Sequence, residues 1–271
     1  MALKTNVVDR VSAYPGRVKL TPVSGQTNTY DMVRADQPTQ AGTPLNAALF
    51  RQKADALTGD VTVYVTKSGN DSTADGTSAK PFLTIQGALN SIPKNLNGYM
   101  ANINIGAGTY AGEVNVEYFA DGRVTFTGAS KAAVKIQGIL RIRKSGLNIE
   151  NIALTIENSY LYVTEQGWVN LDTTASLVCS GAAYGVYARY GGHACLTGVA
   201  TIKNTTTNAI RAGENSTIYV YDATGTGNAT GIYAQGGMVF IRAQDLGATT
   251  EYATAHGGKI YNGAQTSIPK Y

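Results

Sequence analysis

Charged side chains are scarce in this 271-residue chain, at 15 % of residues against about 25 % in an average globular protein. The 22 Lys and Arg against 18 Asp and Glu leave a net charge of +4, too small and too scattered to make nucleic acid the expected partner. There are only two cysteines, Cys179 and Cys195. That number excludes a disulfide framework, and nothing around them has zinc-site spacing. No apolar run approaches the ~20 residues of a membrane span, so no membrane insertion is expected. Residues 1–10 lack an apolar core, so no ordinary secretion signal is expected either. The 31 glycines follow no three-residue period, which excludes collagen. What the chain does have is 43 % hydrophobic residues, 17 Tyr against 1 Trp, and many Thr, Asn and Gly. This composition points to an all-β protein with many tight turns.

Residues 1–58 differ from the rest and hold four of the seven prolines. Turn signals at Tyr14-Pro15-Gly16 and Pro22–Gly25 frame a short strand, Arg17–Leu20. Leu45–Leu57 carries helix-like spacing. The segment is too small and Pro-rich to bury much core alone, and reads as an arm. A second section, 59–95, opens with the alternating run Val61–Val65. A turn-rich loop follows, and then Pro81–Ile92, where Phe82, Ile85, Ala88, Leu89 and Ile92 fall at helical spacing. Asp71, Thr73, Asp75 and Gly76 echo the start of a calcium loop, but Phe82 stands where such a loop needs its bidentate Glu. No metal or other cofactor is expected.

From residue 96 to 271 the sequence repeats itself. Tyr162–Thr164, Val186–Ala188, Ile210–Ala212, Ile232–Ala234 and Ala253–Ala255 end 24, 24, 22 and 21 residues apart. Each is followed by a turn and a second strand: Gly167–Leu171, Gly192–Leu196, Ser216–Val220, Gly237–Ile241 and Gly258–Asn262. Weaker copies lie at Ile103–Ile105, Val114–Val116, Val124–Phe126, Val134–Ile136 and Leu147–Ile149. A drifting period built of short strands is what coils of a β-solenoid need. The Leu/Asn framework and helices of leucine-rich repeats are missing, and a β-sandwich would show no column-by-column correspondence. About 22 residues per coil predicts about eight coils. Val169, Ala194, Ile218, Val239 and Ile260 form one inward column. Leu171, Leu196, Val220 and Ile241 form the next, broken by Asn262. Parity puts Asn170, Cys195, Tyr219, Phe240 and Tyr261 outside, and likewise Val163, Tyr187, Arg211, Tyr233 and Thr254.

Chemistry is hard to place on these coils. Glycan hydrolysis needs two carboxylates about 5–10 Å apart, yet Glu165, Glu214, Asp222, Asp245 and Glu251 occur singly in different columns. Glu113, Glu117 and Asp121 cluster around one early coil. Each acid reads as a solvated turn residue, and His193 and His256 as surface histidines, so no catalytic residue is assigned. The outward aromatics are more telling. Tyr219, Phe240 and Tyr261 on successive coils would expose an apolar stripe on a monomer, which suits a seam between subunits. Tyr187, Tyr190, Arg211 and Tyr233 offer flat rings and polar donors suited to sugar.

Val61–Thr77 with Pro81–Leu89, and Ile103–Tyr110 with Val114–Val116, resemble the first coils of right-handed parallel β-helix proteins of the pectate-lyase-like type, particularly those of bacteriophage tail spikes and fibres. Asp9–Val11, Tyr14–Pro22 and Gly42–Phe50 resemble the N-terminal segment of phage virion proteins. The resemblance implies a homotrimeric rod in the virion, assembled in the bacterial cytoplasm. Residues 1–58 would dock on other tail or head proteins, with Tyr14, Pro15, Arg17, Leu45, Leu49 and Phe50 as attachment candidates. The Pro81–Ile92 helix would cap a right-handed single-stranded β-helix, and the coils would bind a host-surface glycan. A polysaccharide depolymerase, or a decoration protein without receptor binding, are the alternatives.

Overall fold

A computed structural model describes residues 56–263, together with 11–12, 18–22, 24, 30–34 and 38–40. The chain divides into two compact units, the smaller being Leu3–Ala54. In that unit Val18–Pro22 pairs antiparallel with Tyr30–Arg34, and Val11–Ser12 with Pro38–Gln40. The expected strand is thus present and extends to Pro22. The attachment candidates Tyr14, Pro15, Arg17, Leu45, Leu49 and Phe50 lie outside the described residues, as do residues 45–55 of the expected helix. At its other end, Ala56 forms a parallel bridge to Asn95, and the Leu57 N–H donates to the Asn95 carbonyl.

The larger unit is a parallel β-solenoid of about seven turns. Each turn lays down three strands. Face 1 is the seven-stranded ladder running from Val114–Glu117 through Leu140–Arg143, Leu161–Thr164, Tyr184–Arg189, Asn208–Ala212 and Asn228–Gln235 to Ala248–Ala255. Face 2 runs from Val61–Val65 and Met100–Ile105 to Met238–Ile241 and Lys259–Asn262. Face 3 runs from Gly108–Ala111 to Gln244–Asp245. The long strands Arg123–Gln137 and Gly146–Glu157 bend round the corner and join faces 2 and 3 into one sheet. Seven turns replace the expected eight. The coil that carries Val169 round to its partner Ala194 is longer than the assumed average, and residues 264–271 lie outside the described set.

Register holds the fold together. On face 2 the apolar column continues unbroken from Val61 through Ala101, Val124, Leu147, Val169, Ala194, Ile218 and Val239 to Ile260. The next column, from Ile103 to Ile241, ends at Asn262 as expected. Face 1 contributes Leu140, Leu161, Val186, Ile210 and Ile232, all fully buried. Burial of each such side chain is worth about 1.5–3 kcal/mol. Here the expected placement of two residues is wrong. Val163 pairs with Ala188 and is fully buried; Thr254 pairs with the inward Ala234, although on the last strand of face 1 it stays exposed. Tyr162, not Val163, is the outward neighbour of Tyr187, and Ala253 that of Tyr233. Shifting a strand by one residue reverses every side chain. The register is set by a corner of nearly constant length, since Tyr162, Tyr187 and Arg211 each precede their face-2 column residue by the same number of positions.

Corners are built from stacked left-handed residues. Between faces 3 and 1, Asn158, Gly181, Asn204 and Gly227 all have φ between 54° and 74°. Asn and Gly tolerate this region best. They also alternate for a packing reason. A Cβ on Gly181 would come within 2.8 Å of the Asn158 carboxamide oxygen, so the glycine makes room for the asparagine of the coil beside it.

Both ends of the apolar stack pose a solvation problem, since an uncovered coil exposes side chains and unpaired backbone. One end is covered by helix α1, Ile85–Ser91, shorter than the expected Pro81–Ile92. Its cap Thr84 accepts from the Gly87 N–H, and Asp71 accepts from the Leu83 and Thr84 N–H groups and the Thr84 hydroxyl. Ile85, Ala88 and Leu89 are buried. Gln86 Oε1 accepts from the Asn115 N–H at 2.7 Å, so a side-chain amide satisfies the edge strand of face 1 in place of another strand.

Toward the far end the core changes character. Face 3 reaches Gly225 where earlier coils have Ile156, Cys179 and Ile202. The buried Asn228 fills the space: it donates to the carbonyls of Ile202 and Leu246 and accepts from the Thr205 N–H and hydroxyl. Asn228→Leu should leave these buried polar partners unsatisfied and lower stability by about 2–4 kcal/mol. Urea unfolding followed by circular dichroism measures this, and an unchanged midpoint would show the network to be dispensable.

Candidate functional site

Face 1 gathers aromatic and guanidinium groups on its outer surface. In-register pairing places Asn115, Arg141, Tyr162, Tyr187, Arg211 and Tyr233 in one outward row. Tyr160 and Tyr184, at the leading edge of the same face, fold over it. Tyr160 meets Tyr184 edge-on at 5.4 Å, Tyr162 lies 5.4 Å from Tyr187, and Tyr184 lies 4.8 Å from Tyr187. The Arg211 guanidinium stands 5.0 Å from the Tyr187 ring, 5.3 Å from Tyr233 and 5.4 Å from Tyr184, within cation–π range. Its Nη1 donates to the Tyr184 hydroxyl at 3.0 Å, and Nη2 donates to Gln235 Oε1. Tyr187 is only 8 % exposed, and burial pushes its phenol above the ordinary value. It is the floor of the cluster, while the half-buried Tyr162, Tyr184 and Tyr233 form the accessible surface.

The rim between faces 1 and 2 is a charge zipper across coils. Arg143 Nε lies 2.8 Å from Glu165, and Arg189 Nε lies 3.6 Å from Glu214. Tyr190 sits here, 49 % exposed, with a left-handed φ of 51° and the Arg189 guanidinium 3.8 Å from its ring. Tyr118 repeats the arrangement at φ 60°, 45 % exposed and 5.2 Å from Arg143. A bulky side chain in this backbone region is uncommon and costs about 1–3 kcal/mol. Tyr187, Arg211 and Tyr233 are thus brought together as expected, with Tyr190 at the adjoining rim. Tyr160, Tyr162, Tyr184, Arg141 and Tyr118 were missed. Counting back across the corner by a constant number of positions from the face-2 column would have found Tyr162.

Face 2 holds the second aromatic set. Tyr219 and Phe240 stack at 4.9 Å and 12°, and Phe240 and Tyr261 at 4.8 Å and 10°. Tyr261 is 42 % exposed, and Met238, two positions before Phe240, 40 %. Cys195 continues the outward row beneath Tyr219, while Cys179 points into the core of face 3. Both are free thiols, and burial raises Cys179 to about 12 and Cys195 to about 11.

Several of the acids are engaged elsewhere. Besides Glu165 and Glu214, Glu113 faces Arg141 at 3.4 Å and Glu157 faces Lys135 at 3.3 Å. Glu251 accepts from Gln244, and Asp172 and Asp245 accept from turn N–H groups. Glu113 and Glu157 do share a shallow cleft of about 380 Å³ with Gln137, Asn158 and Ser159. Hydrogen bonds from Gln137 and Lys135 hold Glu157 below the ordinary carboxylate value, the reverse of what a general acid needs. Among the described residues no group of three or more His, Cys, Asp and Glu could hold a metal ion. No protein-family model, curated protein or solved structure matches the chain.

His193, half-buried on face 2, is held by burial below its ordinary value of 6.5. The unfolded chain therefore takes up the proton first. The stability linked to His193 should be complete above about pH 6.5 and fall as the pH drops below it. His193→Gln should flatten that part of the curve of melting temperature against pH, and an identical slope in the variant would exclude the histidine as its source.

Proposed function

We propose that this chain is a non-catalytic attachment protein whose solenoid presents face 1 to a surface glycan, as part of a trimeric virion fibre or short spike. The observation that carries the reading is the contiguous outward cluster of Tyr162, Tyr184, Arg211 and Tyr233 over the buried Tyr187. Aromatic faces stack against the apolar side of sugar rings, while the phenol and guanidinium supply hydrogen bonds to their hydroxyls. The cluster is held by cross-coil contacts, so little side-chain freedom is lost on binding.

Placement on a virion, with residues 1–58 as the docking arm, rests on the resemblance of the N-terminal segment and of the first coils to phage spikes. The Tyr219, Phe240 and Tyr261 stack is assigned to the subunit seam, because an exposed aromatic ladder gains most by excluding water against a copy of itself. The ion-paired state of Glu113 and Glu157 favours attachment over a depolymerase.

Purified protein incubated with host cell-wall and capsular polysaccharide should bind without releasing reducing ends or unsaturated sugars; cleavage would overturn the non-enzymatic reading. Tyr187→Ala with Tyr233→Ala should abolish cell binding while light scattering still reports a trimer. Undiminished adsorption would remove face 1 from the function.

A further inference from the structure

Face 1 and its rim carry four guanidinium groups, and they are not equivalent. Arg141, Arg143 and Arg189 each have a carboxylate within 3.6 Å, from Glu113, Glu165 and Glu214. Arg211 has none among the described residues. Its partners are all neutral: the Tyr184 hydroxyl, the Gln235 carboxamide and the rings of Tyr184, Tyr187 and Tyr233. The buried Nε atoms of Arg143, Arg189 and Arg211 all lack a well-aligned hydrogen bond, but those of Arg143 and Arg189 each face a carboxylate and that of Arg211 does not. A cation withdrawn from water without a counter-charge costs free energy that the cation–π contacts return only in part. The same chain supplies a carboxylate to each neighbouring arginine, so the missing partner is specific to this one position.

We infer that the ligand of face 1 is an acidic glycan, and that a carboxylate or phosphate group of it seats on Arg211 while neighbouring sugar rings lie on Tyr162, Tyr184 and Tyr233. The inference rests on the attachment reading and narrows it to a ligand class. A planar guanidinium matches both anions, and charge-assisted hydrogen bonds are about twice as strong as neutral ones. Tyr184 and Gln235 hold the fork in place before the ligand arrives. From Tyr162 to Tyr233 the row spans three coil steps, about 14 Å at the usual strand spacing, long enough for a short oligosaccharide.

The full chain, with Arg211→Gln and Arg211→Lys, is applied to an array of bacterial surface glycans with neutral, uronic-acid and phosphodiester members. The unaltered protein should bind acidic members, and the arm that responds identifies the anion as carboxylate or phosphate. Arg211→Gln should bind them about 10- to 100-fold more weakly, the range for lost hydrogen bonds to a charged group, with an unchanged melting temperature. Arg211→Lys should fall between the two. Binding of the unaltered protein to acidic members should also weaken as salt is raised, a test that holds even if Arg211→Gln misfolds. Binding to neutral members alone, undiminished acidic binding by Arg211→Gln, or salt-independent binding would overturn the inference and leave the attachment reading standing. Binding to no member would overturn both.

Discussion

Every feature of the solenoid depends on in-register parallel pairing of one coil with the next. Because each strand donates and accepts backbone hydrogen bonds on both sides, a residue's neighbours above and below occupy the same position in their own coils. Side-chain character is therefore settled by column. Columns of Val, Leu and Ile on the three faces make a core along the length of the stack, and helix α1 is needed only to cover its end. The low charge content follows, since most positions on a short strand are either inside the stack or wedged between outward neighbours about 4.8 Å away.

The same constraint builds the surface. On face 1 it sets Tyr162, Tyr187, Arg211 and Tyr233 in one line, each contributed by a different coil. On face 2 it stacks Tyr219, Phe240 and Tyr261 nearly parallel. Carboxylates obey it too, because Arg143–Glu165 and Arg189–Glu214 are pairs between adjacent coils. Core, aromatic seam and charge zipper are thus one pattern read at different columns. Where the pattern fails, a local device replaces it: Gln86 closes the edge at Asn115, and Asn228 fills the space at Gly225.

Much of this was legible in advance. The face-2 columns match residue for residue, because each of these strands starts directly after a small turn residue: Gly167, Gly192, Ser216, Gly237 or Gly258. The opening strand and the helix over it were legible from alternation and helical spacing. Face 1 was partly misread. Matching Tyr162–Thr164 to Val186–Ala188 by similarity gave a register one residue off, which put the core residue Val163 outside and concealed Tyr162. Similarity of small and β-branched residues does not fix register, whereas the geometry of the corner does.

The sequence by itself determined the period, the inward columns of face 2 and the aromatic character of the outward ones, since these need only hydrophobic alternation repeated once per coil. Only the tertiary structure decided which aromatics are reachable and which charges are compensated. Tyr187 looks like its neighbours in the text, yet Tyr162, Tyr184 and Arg211 bury it. Arg211 looks no different from Arg141 or Arg189, yet among the described residues it alone of the three has no carboxylate partner. Burial and ion pairing depend on side chains a full coil away along the chain, which the winding of the solenoid brings into direct contact.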